Sequence, residues 1–271
     1  MKIGITGSTG VLGTNLKKIL VNHNLISYRQ RIENIKNLER WIKKSDLDAI
    51  IHLAAIVPTK KVNQNKIKSL KTNFIGTKNI VDTINKYSKK KIWMFYASTS
   101  HVYSHKSKII TETDETKPIN FYGKTKLLSE KYILKNIKNY TPCIGRIFSY
   151  TSKKQNKSFV IPSILSKFKN KDNKIYFKNF NHERDFVKLN DICKAIKILL
   201  KNNSKGVFNI CSNKKNNLQD LILKLNKKYQ KKIIFNSNQK KTIIYGSNKK
   251  LLKLGWKPNK TNYYDYLLKN Y

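Results

Sequence analysis

The chain has 271 residues, enough to bury one large core or two small ones, and carries 57 lysines and arginines against 15 aspartates and glutamates, a formal charge of +42. Only five basic residues are arginine, and the lysines are scattered rather than gathered with aromatics into one stripe. That excludes a dedicated nucleic-acid groove and leaves a field that draws anionic ligands such as nucleotides. Three cysteines without paired spacing, no apolar run of membrane-spanning length, no secretory pattern and no metal-ligand spacing point to a soluble, cytoplasmic protein.

Along the chain, short apolar runs alternate with helical patterns. Lys2–Thr6 reads as the first strand. It runs into Thr6-Gly7-Ser8-Thr9-Gly10-Val11-Leu12-Gly13, and a helix is predicted over Thr14–Val21. Three glycines at this spacing allow a tight turn, a close backbone approach to a pyrophosphate and close helix–strand packing. The first amides of the helix then face the anion. Gly7, Thr9, Gly10, Val11, Leu12 and Gly13 are the resulting candidates for dinucleotide contacts.

The second strand, Leu25–Tyr28, is followed by Arg29-Gln30-Arg31-Ile32-Glu33. A carboxylate at that strand end would bind ribose hydroxyls and select NAD. Here two arginines come first, Arg29 and Arg31, which suits the 2′-phosphate of NADP and leaves NAD open; the other reading is two more cations of a basic chain.

Further strands are predicted at Ala49–Leu53, Ile92–Ala97 and Cys143–Phe148, with helices over Leu38–Lys44, Lys66–Tyr87 and Tyr122–Lys138. After residue 150 the pattern loosens. Helices are predicted at Phe159–Phe168, Asp191–Leu200, Leu218–Tyr229 and near Tyr263–Lys269, and extended segments at Ile175–Phe177, Val207–Cys211 and Ile233–Phe235. The alternation predicts an α/β protein with a Rossmann-like, doubly wound parallel sheet and a smaller C-terminal α/β substrate-binding part. The dinucleotide-binding domain covers 1–150, with 183–205 returning to it; the substrate-binding part covers 151–182 and 206–271. Ligands of such a sheet lie at the carboxyl ends of its strands.

Tyr122-Gly123-Lys124-Thr125-Lys126 places Tyr122 and Lys126 on one face of a helix. A phenol is a poor acid–base group at neutral pH. An ammonium beside it favours the phenolate, so the pair reads as a proton donor with its tuner. Ala97-Ser98-Thr99-Ser100-His101-Val102-Tyr103 ends an apolar strand 23 residues earlier, and hydroxyls there can hold a substrate carbonyl or alcohol beside the phenol.

These segments, in this order, resemble the extended short-chain dehydrogenase/reductases that act on nucleotide sugars. Thr6–Gly13 resembles their TGxxGxxG and His52-Leu53-Ala54-Ala55 their HLAA. Asn73–Thr77 resembles VNxxGT, Ser98–Tyr103 SSxxVYG and Tyr122–Lys126 YGxSK. Arg184–Val187 with Asp191 resembles RDFVHVxD, Phe208–Ile210 YNIG and Leu254–Pro258 LGWKP.

The resemblance implies that Tyr122 is the general acid/base and that Lys126 holds the nicotinamide ribose. Thr99 is then the hydroxyl partner, with Ser100 its neighbour. Leu53, Ala54, Ala55 and Asn73 stand beside the cofactor. Arg184 holds a substrate phosphate, the alternative being an ion pair with Asp185 or Glu183. Ser149 occupies a substrate-contact position where the family usually has asparagine. Ser104 replaces the usual glycine, and no Asp-Glu pair follows Thr99, which argues against 4,6-dehydration. His101 and His182 read as structural.

The activity implied is NADPH-dependent reduction of a 4-keto group on a nucleotide-linked deoxysugar, for cell-surface polysaccharide, by a homodimer. The alternative is a 4-epimerase with tightly bound NAD(P), and a further one is a non-catalytic NADP-binding sensor or RNA-associated protein, favoured only by the lysine content.

Overall fold

The interior strands of the first half are apolar on both faces, as parallel strands covered by helices must be. In the computed structural model, which describes residues 1–57 and 59–270, the chain forms β1 (Lys2–Thr6), α1 (Val11–Ile19), β2 (Asn24–Tyr28), α2 (Ile35–Ser45) and β3 (Ala49–His52). Then come α3 (Thr59–Gln64), α4 (Lys66–Leu70), a π-helical turn at Lys71–Ile75, α5 (Gly76–Tyr87), β4 (Ile92–Thr99), α6 (Phe121–Lys135) and β5 (Tyr140–Ile147). The rest is α7 (Val160–Phe168), β6 (Lys174–Lys178), β7 (Glu183–Arg184), α8 (Leu189–Lys201), β8 (Gly206–Ile210), β9 (Asn216–Asn217), α9 (Leu218–Tyr229), β10 (Lys232–Asn236), β11 (Ile243–Ile244), α10 (Lys249–Leu252) and α11 (Tyr263–Asn270).

Six strands pair in parallel in the order β2-β1-β3-β4-β5-β8. This is a Rossmann-like α/β fold. The winding direction reverses between β1 and β3, and a crevice opens at the carboxyl ends of strands at such a switch point. One apolar layer packs Leu12 and Leu16 of α1 and Ile192, Ile196 and Leu199 of α8 against the sheet. The other packs Leu38 and Ile42 of α2, Ile80 and Ile84 of α5 and Ile133 of α6 against the opposite face.

A separate cluster joins α7, β6, α9 and α11 through Ile164, Phe168, Phe177, Ile222 and Leu267. Beside it lie a two-stranded sheet of β10 and β6 and a three-stranded one of β11, β7 and β9. No helix among the described residues is long and apolar enough to cross a membrane.

Three expectations need correction. Residues 206–271 do not lie wholly in the smaller part: β8 pairs with β5 as the sixth strand of the main sheet, and Leu251 and Trp256 are buried in the α1/α8 layer. The reason is the edge of β5, whose backbone groups need a partner that Gly206–Ile210 supplies. Nor does the return to the main unit begin at residue 183, because Glu183 and Arg184 pair with β11 and β9 in the small sheet; α8 makes the return. Finally, the helix predicted over Lys66–Tyr87 is interrupted at Lys71–Ile75, where the backbone widens into a π turn around Asn73.

Candidate active site

The turn after β1 takes the shape the glycines permit. Gly7 adopts the left-handed backbone (φ +70°), and a Cβ there would stand 2.7 Å from the Ala54 amide nitrogen. At Gly13 a Cβ would meet the Gly7 carbonyl oxygen at 2.4 Å, so only glycine lets α1 seat against the turn. Gly10 caps α1 without a side-chain hydrogen bond, and the first amides of this nine-residue helix are left for an outside anion.

A cleft of about 810 Å³ opens over this turn at the carboxyl ends of β1, β4 and β5. It is lined by Gly7, Thr9, Gly10, Val11, Leu12 and Gly13, by Arg31, by Leu53, Ala54 and Ala55, and by Thr99, Ser100, Tyr122, Lys126, Ser149 and Arg184. The structure thus brings together candidates drawn from seven separate segments. The first amides of α1, the exposed Gly10 and the cations Arg31, Lys126 and Arg184 along the cleft suit an extended, anionic dinucleotide.

Two candidates lie elsewhere. Arg29 is exposed and does not line the cleft; β2 ends at Tyr28, and it is Arg31 that the following turn carries to the wall. Asn73 is buried behind the wall. Its Oδ1 accepts from the Ile56 amide (2.7 Å) and its Nδ2 donates to the Ile56 carbonyl (3.3 Å) and to Thr125 Oγ1 (3.2 Å), so it braces the loop after β3 against α6 and does not itself line the cleft.

α6 begins on Asn120, whose Oδ1 accepts from the Gly123 amide (2.8 Å), and this cap fixes where Tyr122 emerges. Burial pushes the Tyr122 phenol above its ordinary range, the neighbouring Tyr150 adds to the rise, and a hydrogen bond with the Thr99 hydroxyl opposes it. This differs from the expectation that Lys126 dominates the phenol. Lys126 is itself almost wholly buried, stands 4.2 Å over the Tyr96 ring, and is pushed down to about 7 by burial against the attraction of Glu130.

Among the described residues, Arg184 has no carboxylate partner. Its Nη1 donates to the Glu183 and Thr242 carbonyls (2.8 and 2.9 Å) and its Nη2 to Thr242 Oγ1 (2.8 Å); burial pushes it down to about 10. The ion pair with Asp185 or Glu183 does not form. Asp185 instead accepts from Ser212, Asn213 and Gly246, and Glu183 pairs with Lys241 (2.6 Å) and Lys215 (3.7 Å).

Several lining groups escaped the sequence. His101 lies edge-on to Tyr122 with ring centres 5.9 Å apart, and its Nδ1 accepts from Asn120 Nδ2 (2.7 Å); burial pushes it down to about 4. Its closeness to Thr99 in the chain was the available signal. Glu33 stands beside Arg31 and its carboxylate accepts from the Thr72 hydroxyl. Tyr150, pushed up to about 12 by burial, completes the wall beside Ser149. His182 lies outside the cleft, its Nδ1 accepting from the Thr242 amide (3.2 Å).

Behind the cleft, Glu130 takes a bidentate bond from Arg146 (Nη2–Oε2 2.7 Å) and one from Ser98, while Arg146 also donates to Tyr103 (2.8 Å). This buried pair ties α6 to β4 and β5.

The family model described as GDP-mannose 4,6 dehydratase matches residues 6–264, and the chain belongs to that family of nucleotide-sugar-modifying enzymes, within the extended short-chain dehydrogenase/reductases. Among curated relatives, it is 29% identical over 226 residues to GDP-6-deoxy-D-talose 4-dehydrogenase of Aggregatibacter actinomycetemcomitans, covering 78% of this chain and 74% of that one. It is 25% identical over 283 residues to a putative UDP-glucose 4-epimerase of Methanocaldococcus jannaschii, covering 94% and 92%. Among solved structures, RMD of Pseudomonas aeruginosa, complexed with NADPH, superposes with a TM-score of 0.85 at 24% identity over 96% of this chain and 94% of that one, which shows the shared fold.

Proposed function

We propose that this chain reduces the 4-keto group of a nucleotide-linked deoxysugar with NADPH. The observation that carries the reading is the constellation of Thr99, Tyr122 and Lys126 at one point of the cleft, followed in sequence by Ser100 and His101 and not by an acid pair. A 4,6-dehydratase needs a further acid and base to remove water from the sugar; among the described residues no aspartate or glutamate lines the cleft beside Tyr122, and a simple carbonyl reduction requires only the one proton its phenol can give.

Gly7 to Gly13 would hold the dinucleotide's pyrophosphate, Lys126 its nicotinamide ribose and Arg31 its 2′-phosphate. When bound, the cofactor supplies hydride to C4. The Tyr122 phenol gives its proton to the C4 oxygen, and Thr99 orients that oxygen by a hydrogen bond. A phenol held protonated by burial is suited to donate, and Lys126 favours the phenolate that results. Arg184, held by the Glu183 and Thr242 carbonyls and the Thr242 hydroxyl and with no carboxylate partner among the described residues, would take the sugar nucleotide's diphosphate.

The family's 4-dehydrogenase relative, named for oxidoreduction at the same carbon, supports this reading. The test is absorbance at 340 nm with purified enzyme, NADPH and a nucleotide 4-keto-6-deoxyhexose. Loss of one NADPH per sugar reduced is expected; product formed with no net NADPH loss would mean epimerisation instead.

A further inference from the structure

His52 closes β3 and is 1% exposed, behind the cleft wall. Its Nδ1 lies 2.6 Å from Thr6 Oγ1, at the end of β1, and its Nε2 lies 2.9 Å from Thr77 Oγ1, in the first turn of α5. The hydrogens along this line can be assigned one by one. Thr77 Oγ1 stands 2.7 Å from the Asn73 carbonyl, which only accepts, so the single Thr77 hydrogen points there. Thr77 therefore accepts from His52, and Nε2 carries the hydrogen.

Thr6 Oγ1 accepts from the Ala54 amide (3.3 Å) and gives its own hydrogen to Nδ1. A doubly protonated ring would aim a second donor at Thr6 and leave the Thr6 hydrogen without its acceptor. The line continues beyond Thr77, because Ser129 Oγ also meets the Asn73 carbonyl (2.9 Å) and the Asn73 side chain holds Ile56 and Thr125. One end is thus the glycine turn and the Leu53–Ile56 wall, and the other is α6, which carries Tyr122 and Lys126. The titratable groups facing the imidazole are Tyr96 of β4, with ring centres 5.5 Å apart, and the Lys126 ammonium of α6.

We propose that His52 is a positioning residue: neutral, with its hydrogen on Nε2, it sets the spacing between the cofactor side of the cleft and the helix that bears the proton donor. The proposal rests on the dinucleotide-binding reading above but not on which sugar is reduced. Burial and the Lys126 charge both act against protonation, pushing the imidazole down to about 3.

Two measurements on the whole enzyme test it. Long-range ¹⁵N–¹H correlation of the five histidines, with the His52 signal assigned by its loss in His52→Gln, should show a neutral Nε2–H ring unchanged from about pH 8 to about pH 5. A ring protonated on Nδ1, or one that titrates in that range, overturns the proposal, whatever the enzyme reduces. In turnover, Thr77→Val should lower kcat about tenfold while the sugar-nucleotide KM stays within about twofold, and Thr77→Ser, which keeps the hydroxyl, should restore kcat. Wild-type kcat in Thr77→Val, or a loss that Thr77→Ser does not restore, overturns it as well. If Thr77→Val fails to fold, the ring's hydrogen position and Thr77→Ser still decide. A wild-type enzyme with no 4-ketoreductase turnover counts against the proposed function and leaves the tautomer result standing.

Discussion

Replacing Arg31 with alanine should weaken NADPH and leave NADH nearly untouched. The contact at stake is a charge-assisted bond between the guanidinium and the 2′-phosphate, and hydrogen bonds to charged groups contribute about 1.5–3 kcal/mol. Arg31 is exposed at the cleft mouth, so solvent screens it and the lower end applies: about 1.5 kcal/mol, or roughly tenfold in Kd. Glu33 shares this end and repels the same phosphate, but its carboxylate already accepts from Thr72, and the nearby cation decides the sign. The assay is quenching of protein fluorescence by NADPH and by NADH, at low and high ionic strength. The NADPH penalty should shrink as salt rises, since a Debye length near 10 Å at about 0.1 M screens an exposed pair. Arg29→Ala is the control, because Arg29 does not line the cleft. Equal weakening of both cofactors in Arg31→Ala would refute the reasoning and reduce the arginine to one more contributor to the +42 field.

Tyr122→Phe should bind NADPH as the wild type does and lose roughly 100- to 10,000-fold in kcat; retention of more than about a tenth would assign the proton elsewhere. Arg184→Ala should raise the sugar-nucleotide KM with a smaller change in kcat, measured by initial rates at saturating NADPH, because a diphosphate contact acts on ground and transition states alike. Glu130→Gln leaves Arg146 buried without its counter-charge and should cost about 3–5 kcal/mol in urea unfolding; a cost under about 1 kcal/mol would contradict the buried pairing. Asp185, pushed up to about 6 by burial, binds a proton in the folded chain that the unfolded chain has released above its ordinary 3.8. Its contribution is therefore full below 3.8 and is lost as pH rises to about 6, a change of about 3 kcal/mol, and Asp185→Asn should remove that fall from the pH–stability curve.

What the sequence disclosed was what is local. The glycine turn, the Tyr122–Lys126 spacing and the hydroxyls ending β4 each lie within a few residues, and their backbone settings follow from strand, turn and helix geometry. What it hid depends on distant partners. Arg29 and Arg31 look alike in a row of residues, and only the course of the turn after β2 turns one to the cleft and the other to solvent. Arg184 was legible as a cation, but its freedom from Asp185 comes from Ser212, Asn213 and Gly246, far along the chain. Val207–Cys211 reads as a strand in any sheet, and its place beside β5 is a tertiary choice. The π turn at Asn73 lies inside an unbroken helical pattern, and the Tyr122 environment is set by the walls that bury it rather than by its helical neighbour alone.

In the proposed reaction, hydride passes from the nicotinamide to C4 of the sugar and stays there. NADPH carrying deuterium at both C4 positions of its nicotinamide, turned over with a nucleotide 4-keto-6-deoxyhexose, tests it by mass and proton NMR of the product. One deuterium per product molecule is expected, at C4, with one NADPH oxidised for each. An unlabelled product, or a sugar inverted at C4 with the cofactor unchanged in amount, would contradict it.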